Sequence, residues 1–384
     1  MRRLLLAAAL AAGVAVLATA AFGATKGASK PSSQAASATA LVSCKSAQIG
    51  GMFPLTGPAP GIGDEQRNWA VLGLDQTNKA LKTKFKMLQR DTMLSASEAA
   101  TVAQELASNG NVLAVVGPAG SQEVVNAGPV FTRAKLPFVS SSATRTVLTD
   151  GSIPTFSRDV PNDSIQGPTI GKFTRTNLKA KRVVVIDDQT SYGAPLADGI
   201  EAYLKSHGAT VTRKSVPRSQ SDFSALVTSI PSNTQVVVLA WQVASNAQQF
   251  ARQMREQAKS AKIFGSDGLF DPAAFTVEGA YVSIFAPVLP AGNKYAKAYA
   301  KRFHKEFGSF GPPAYVATEI EVAALKTSCK NGTASRAEVA KAIRKTKLKT
   351  TPLGAWKGFT AKGDPKGAHF YIYKIVNGKY KRVF

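Results

Sequence analysis

At 384 residues, 44% of them hydrophobic, the chain is longer than one hydrophobic core usually holds, so two lobes are expected. Lys and Arg number 48 against 24 Asp and Glu, a formal charge of +24, yet they are dispersed, with modest concentrations only at 342–349 and 379–384. Dispersal favours a solvated basic surface over a nucleic-acid site, and three histidines with no CxxC argue against a structural metal.

The N-terminus reads as an export signal. Arg2 and Arg3 precede an apolar run from Leu4 to Ala21, and small residues follow, with a cleavage boundary expected near Ala24. Export also argues against nucleic acid as a partner. The next stretch, 25–43, is rich in Ser, Ala, Thr and Lys, has almost nothing to bury, and reads as a flexible tether. Leu41-Val42-Ser43-Cys44 has the form of a lipobox, but about twenty residues separate it from the apolar run, against lipidation. Cys44 and Cys329 form one bridge or remain two thiols; the sequence does not choose between these.

From Cys44 onward, short apolar strands alternate with amphipathic helices, the mark of α/β layers around a mostly parallel sheet. Strands are predicted at 47–53, 84–89, 111–116 and 136–140. Helices are predicted at 63–79, 95–108, capped by Ser95 or Ser97, and 123–133. The rhythm then restarts. Lys181 to Ile186 carries an unbroken β-branched run, as a buried parallel strand should. Further strands are predicted at 209–214, 235–240, 261–264 and 280–285. Helices fall at 194–206, 222–229, 244–258, 294–307, 314–327 and 336–345, and 368–375 with 379–383 resembles a hairpin. Two similar α/β series imply a cleft between lobes, with ligands held beyond the carboxyl ends of the strands.

Several segments carry a resemblance. Gly51-Met52-Phe53-Pro54-Leu55-Thr56-Gly57-Pro58 is followed by Gly63-Asp64. Leu136 to Thr144 reads LPFVSSSAT. Asp187 to Gly193 reads DDQTSYG. Ser221-Asp222-Phe223-Ser224-Ala225 and Gly265-Ser266-Asp267-Gly268 complete the set. In this order and spacing the chain resembles the substrate-binding proteins of branched-chain amino-acid ABC importers, the Leu/Ile/Val-binding group of the type I periplasmic-binding fold. The resemblance runs from about residue 46 to the end.

It implies two Rossmann-like α/β lobes joined by three hinge crossovers, near 161, 287 and 351. Lobe 1 would then comprise 44–161 with 287–350, and lobe 2 would comprise 162–286 with 351–384. It also implies a cleft for a small amino acid, branched-chain or otherwise apolar or aromatic, delivered to an ABC permease by a protein expected to be monomeric. The location would be the periplasm or the outer face of the cytoplasmic membrane, with no cofactor. By the same resemblance, Ser121 contacts the ligand carboxylate, while Ser142, Ala143 and Thr144 hold carboxylate and ammonium. Asp267 takes the ammonium and Tyr192 lies over the ligand. Tyr315, Trp241 and Gln242 are wall residues, and Ile62 stands where the family has an aromatic. Ile62 and Gln242 depart from the family pattern, so the side-chain pocket is expected to differ from one built for leucine. The implied topology returns Cys329 to the first lobe near Cys44, and in an oxidising compartment a bridge there is expected.

Read from the residues alone, Ser121 is equally a helix cap, Asp267-Gly268 a turn, and Tyr315 simple packing. No GxSxG, HExxH or Walker A segment occurs, so no enzyme is expected. A sensory protein with the same cleft, or a binder of a related amide or small organic acid, is the alternative.

Overall fold

The computed structural model describes residues 40–384. The expected signal segment and nearly all of the expected tether lie outside the described residues.

The described chain builds two large sheets and two short two-stranded ones. The first has five parallel strands in spatial order Lys86–Asp91, Gln48–Phe53, Val112–Val116, Phe138–Ser140, Phe156–Arg158. The second has seven, in order Lys379–Arg382, Tyr371–Val376, Tyr281–Ile284, Lys262–Gly265, Val236–Ala240, Arg182–Asp187, Thr210–Ser215. Five of these are parallel, and the C-terminal pair is antiparallel. Central strands are buried on both faces, which is why Val112–Val116 (VLAVV) and Val236–Ala240 (VVVLA) carry no polar residue.

Helices α1 (Pro60–Leu81), α2 (Ala96–Ser108) and α3 (Ser121–Arg133) serve the first sheet. Helices α4 (Asp163–Thr176), α5 (Gly193–Ser206), α6 (Ser224–Thr228) and α7 (Ala244–Glu256) serve the second. The chain then returns to the first lobe as α8 (Lys294–Phe303), α9 (Gly311–Ser328) and α10 (Arg336–Lys345), with α9 packed along α1. Ser95 caps α2 by accepting the Glu98 N–H.

The sequence did not foretell α4 or the strand Phe156–Arg158 before it. Gly167, Pro168 and Gly171 are poor helix formers, so α4 gains its stability from packing rather than propensity. A methyl at Gly171 would stand 2.4 Å from the Tyr203 ring of α5, so the small residue allows the two helices to close. The helix predicted over 294–307 stops at Phe303, where His304 turns left-handed. A further hairpin, Leu348–Thr351 with Gly354–Trp356, was also unforeseen.

After that hairpin the chain does not pass directly to the second sheet. Phe359 is buried in the first lobe's core, the Arg158 N–H donates to Gly363 O at 3.0 Å, and Asp364 receives the Arg158 guanidinium at 2.7 Å. The stretch 359–364 is thus attached to the first lobe, beyond the crossing expected near 351.

Cys44 and Cys329 are joined in a disulfide, their Cα atoms 5.8 Å apart. The Cys44 sulfur is therefore committed, in agreement with the reading against lipidation. Beside it, Val42–Ser43 pairs antiparallel with Thr333–Ala334.

Gly63 sits where α1 presses on the loop leaving the first strand. A Cβ there would lie 2.0 Å from the Pro54 carbonyl oxygen, which is backbone and cannot rotate away. Gly63→Ala is expected to destabilise the fold by roughly 1–3 kcal/mol, measurable as a lowered urea midpoint with unchanged slope.

Candidate ligand cleft

In each sheet the chain reverses direction of progression once. The reversals lie between Gln48–Phe53 and Val112–Val116, and between Arg182–Asp187 and Val236–Ala240. Open α/β sheets hold ligands beyond the carboxyl ends of strands at such points. The residues that follow these strands face one another across a small cavity of about 30 Å³. Leu94, Ala119, Gly120, Ser121, Ser142, Ile62 and Phe310 line it from one side, and Tyr192, Gln242, Asp267 and Gly268 from the other.

On the first lobe, α3 begins at Ser121, with Gly120 as its N-cap. The Ser121 hydroxyl does not cap; it accepts the Arg145 N–H at 3.2 Å, which leaves its own proton free to donate. A hydroxyl and a helix N-terminus together favour an anion. Glu123 would oppose one, but burial raises its carboxyl to about 8, so it is neutral at pH 7 while accepting the Gly120 N–H. Ser142 receives the Gln66 amide at 2.8 Å and donates to Ala119 O at 2.8 Å. The Thr144 hydroxyl is fully buried and makes no hydrogen bond among the described residues, beside Asp163.

On the second lobe, Asp267 is buried and accepts both the Tyr192 hydroxyl and the Gln166 amide through Oδ1, each at 2.5 Å. Burial raises its carboxyl to about 6, partly offset by those two bonds. Asp163, the first residue of α4, lies close by. Burial and then the Asp267 charge push its carboxyl up to about 8, against the Thr144 hydroxyl and the Arg158 and Arg145 charges, which lower it. Burial and mutual repulsion of the two carboxyls disfavour two charges at this point of the cleft. A cationic group placed between them would satisfy groups that are otherwise costly to bury.

Not every expected residue meets the cavity. Tyr315 does not: its ring packs edge-on to Trp69 and Tyr295, and its hydroxyl donates to Gln76 at 2.9 Å in the α1–α9 seam. It is a core residue of the first lobe. Trp241 turns its ring away, into a cluster with Phe223 and Phe250, and only its backbone approaches Gly268. An indole finds more apolar contact in that core than in a polar cleft. Ala143 lies behind the cavity wall, its N–H held by the Ser140 hydroxyl at 3.0 Å and its carbonyl by Arg158 at 2.9 Å. Ile62 does line the cleft and packs against the second lobe's core.

Four site residues escaped sequence reading: Gln66, Gln122, Asp163 and Gln166. Gln122 and Gln242 exchange amide hydrogen bonds at 3.0 and 3.1 Å across the two lobes. Asn162, which caps α4, followed by Asp163 in the first turn, was the one local signal that pointed to a helix start here.

A two-lobed α/β fold with a serine hydroxyl on one lip of a cleft and a buried carboxylate on the other suits the enclosure of a small polar solute. The sequence pattern of the periplasmic binding protein family matches residues 46–379, and the chain belongs to that family. A Leu/Ile/Val-binding protein of Rhizobium johnstonii is 30% identical over 344 residues, covering 86% of this chain and 92% of that protein. An amino acid binding protein of Pseudomonas aeruginosa is 28% identical over 87% of this chain and 92% of its own length. Among solved structures, a leucine-binding protein of Thermotoga maritima superposes with a TM-score of 0.81 at 23% identity, covering 88% of this chain and 98% of that one. A solute-binding protein of Rhodopseudomonas palustris, solved with benzoate, reaches 0.76 at 16%, over 88% and 95%. The last two establish the fold.

Proposed function

We propose that this protein captures a small amino acid between its lobes and delivers it to a membrane permease on the outer side of the cytoplasmic membrane. The observation that carries the reading is the buried Asp267 carboxyl, with Asp163 close by, lining the cleft opposite the Ser121 hydroxyl at the start of α3. That arrangement offers an anion for an ammonium and a donor for a carboxylate across one cavity. Relatives named for leucine, isoleucine, valine and other amino acids support it. The lobes in this reading are 44–161 with 287–366 and 162–286 with 367–384. The attachment of 359–364 to the first lobe supports a third crossing later than 351. They close by hinging, without catalysis or cofactor, and the protein works as a monomer.

A thermal-shift screen of amino acids, small amides and aromatic or short-chain acids tests the reading. At least one amino acid is expected to raise the melting temperature, increasingly with its concentration. A shift with organic acids alone would overturn it, since Asp267 would then face no cation.

Acid should release the ligand. Ammonium binding needs Asp267 ionised, and its carboxyl sits at about 6. Affinity for a zwitterion is therefore expected to hold near pH 7 and to fall below pH 6, approaching about tenfold per pH unit, in calorimetric titrations.

A further inference from the structure

The C-terminal part of the first lobe concentrates positive charge that the cleft does not use. Between Val339 and Lys366 there are eight lysines and arginines, and Asp364 is the single acidic residue. Asp364 is turned inward, held by Arg158, Asn162 and Thr149. The exposed lysines of this segment converge in space. Lys345 ends α10, and Lys347 and Lys349 flank and occupy the strand Leu348–Thr351, whose Leu348 pairs with Trp356. That pairing sets Lys357 beside Lys347, and a Cβ at Gly358 would lie 3.8 Å from Lys347 Cγ. The Lys366 N–H donates to Gly358 O at 3.1 Å, and Arg344 reaches Ala361 O, next to Lys362. Lys345, Lys347, Lys349, Lys357, Lys362 and Lys366 are all exposed, and no salt bridge among the described residues includes any of them. Asp150 is near enough to Lys362 to feel its charge.

Like charges set side by side across a hairpin repel one another, and among the described residues no salt bridge offsets that repulsion. We infer that this lysine patch docks on an anionic lipid bilayer. Lysine rather than arginine suits the assignment, because a hydrated ammonium on a flexible stem acts as a point charge. It needs no fixed bidentate partner and meets a fluid layer of phosphate headgroups. Such contact confines the protein near the plane in which an integral permease diffuses. It leaves the lip residues Ser121 and Asp267 uninvolved, so ligand capture and surface attachment are separable.

The test is sedimentation of the protein, as recovered from the cell envelope, with vesicles containing phosphatidylglycerol or phosphatidylcholine alone. Binding is expected to phosphatidylglycerol vesicles at low ionic strength, and to be lost in high salt. Each lysine near an anionic surface contributes roughly fivefold to partitioning. Lys345→Glu, Lys347→Glu, Lys357→Glu and Lys366→Glu together should thus lower it more than about 100-fold. Ligand-induced heat stabilisation should be unchanged in that variant, and the matching Lys→Gln set, a milder change, should lose binding in the same direction. As a control, Lys172→Glu, Lys179→Glu, Lys181→Glu and Lys262→Glu remove equal charge from the second lobe. An equal loss in the control would overturn the patch in favour of diffuse net charge. No vesicle binding, or binding only to a soluble polyphosphate, would overturn the bilayer as partner.

Discussion

Asp267→Asn is expected to weaken amino-acid binding by about 100-fold or more while leaving the fold intact. Asparagine keeps the size of the side chain and an oxygen that can accept from Tyr192 and Gln166, the two donors now on Asp267 Oδ1. It removes the negative charge. Truncating or neutralising one partner of a buried, hydrogen-bonded charge pair costs about 2–5 kcal/mol, most of it from leaving the other charge buried without a counterion. Isothermal titration against the best amino acid from the thermal screen measures the loss. A matched ligand lacking the ammonium should bind the variant and the parent alike. Equal affinity of both proteins for the amino acid would show that Asp267 does not meet the ammonium.

The second large effect concerns stability. Cys44 and Cys329 are 285 positions apart, so their bond closes nearly the whole described chain into one loop. In the chain-entropy account a longer loop restricts the unfolded ensemble more, and removal of a native bridge costs about 2–5 kcal/mol. Cys44→Ser with Cys329→Ser is therefore expected to lower the urea midpoint of the first lobe markedly, with ligand affinity unchanged because the bridge is remote from the cleft. Addition of reductant to the parent should have the same effect once both thiols are exposed to it. A double variant as stable as the parent would show that the short pairing of Val42–Ser43 with Thr333–Ala334 holds this end unaided.

The alternating series of the fold was legible because its strands are buried runs. Val183 to Ile186 and Val236 to Leu239 leave no doubt about period or burial. Helix α4 was hidden because Gly167, Pro168 and Gly171 contradict helix propensity, and its contact with α5 supplies what the local sequence lacks. The cleft was legible where loops at strand ends carry hydroxyls and Asp267. It was not legible where a residue's role depends on a partner far away in the chain. Gln122 and Gln242 are 120 positions apart, and neither sequence neighbourhood announces the other. Trp241 and Tyr315 teach the complementary point. Each Cα stands near the end of an element, but the direction of the ring is chosen by the nearest apolar space, which for both lies inside a lobe.

The exchange between Gln122 and Gln242 joins the lobes through bonds that contain no ligand atom. Any such bond favours the shut form of the empty protein, and the affinity measured for a ligand is the intrinsic affinity scaled by the fraction of molecules already able to hold it. The two glutamines can therefore set how tightly this protein grips its cargo, and Gln242, which also lines the cavity, couples that grip to the shape of the pocket. Gln122, which does not line the cavity, is the partner whose substitution would change the grip alone.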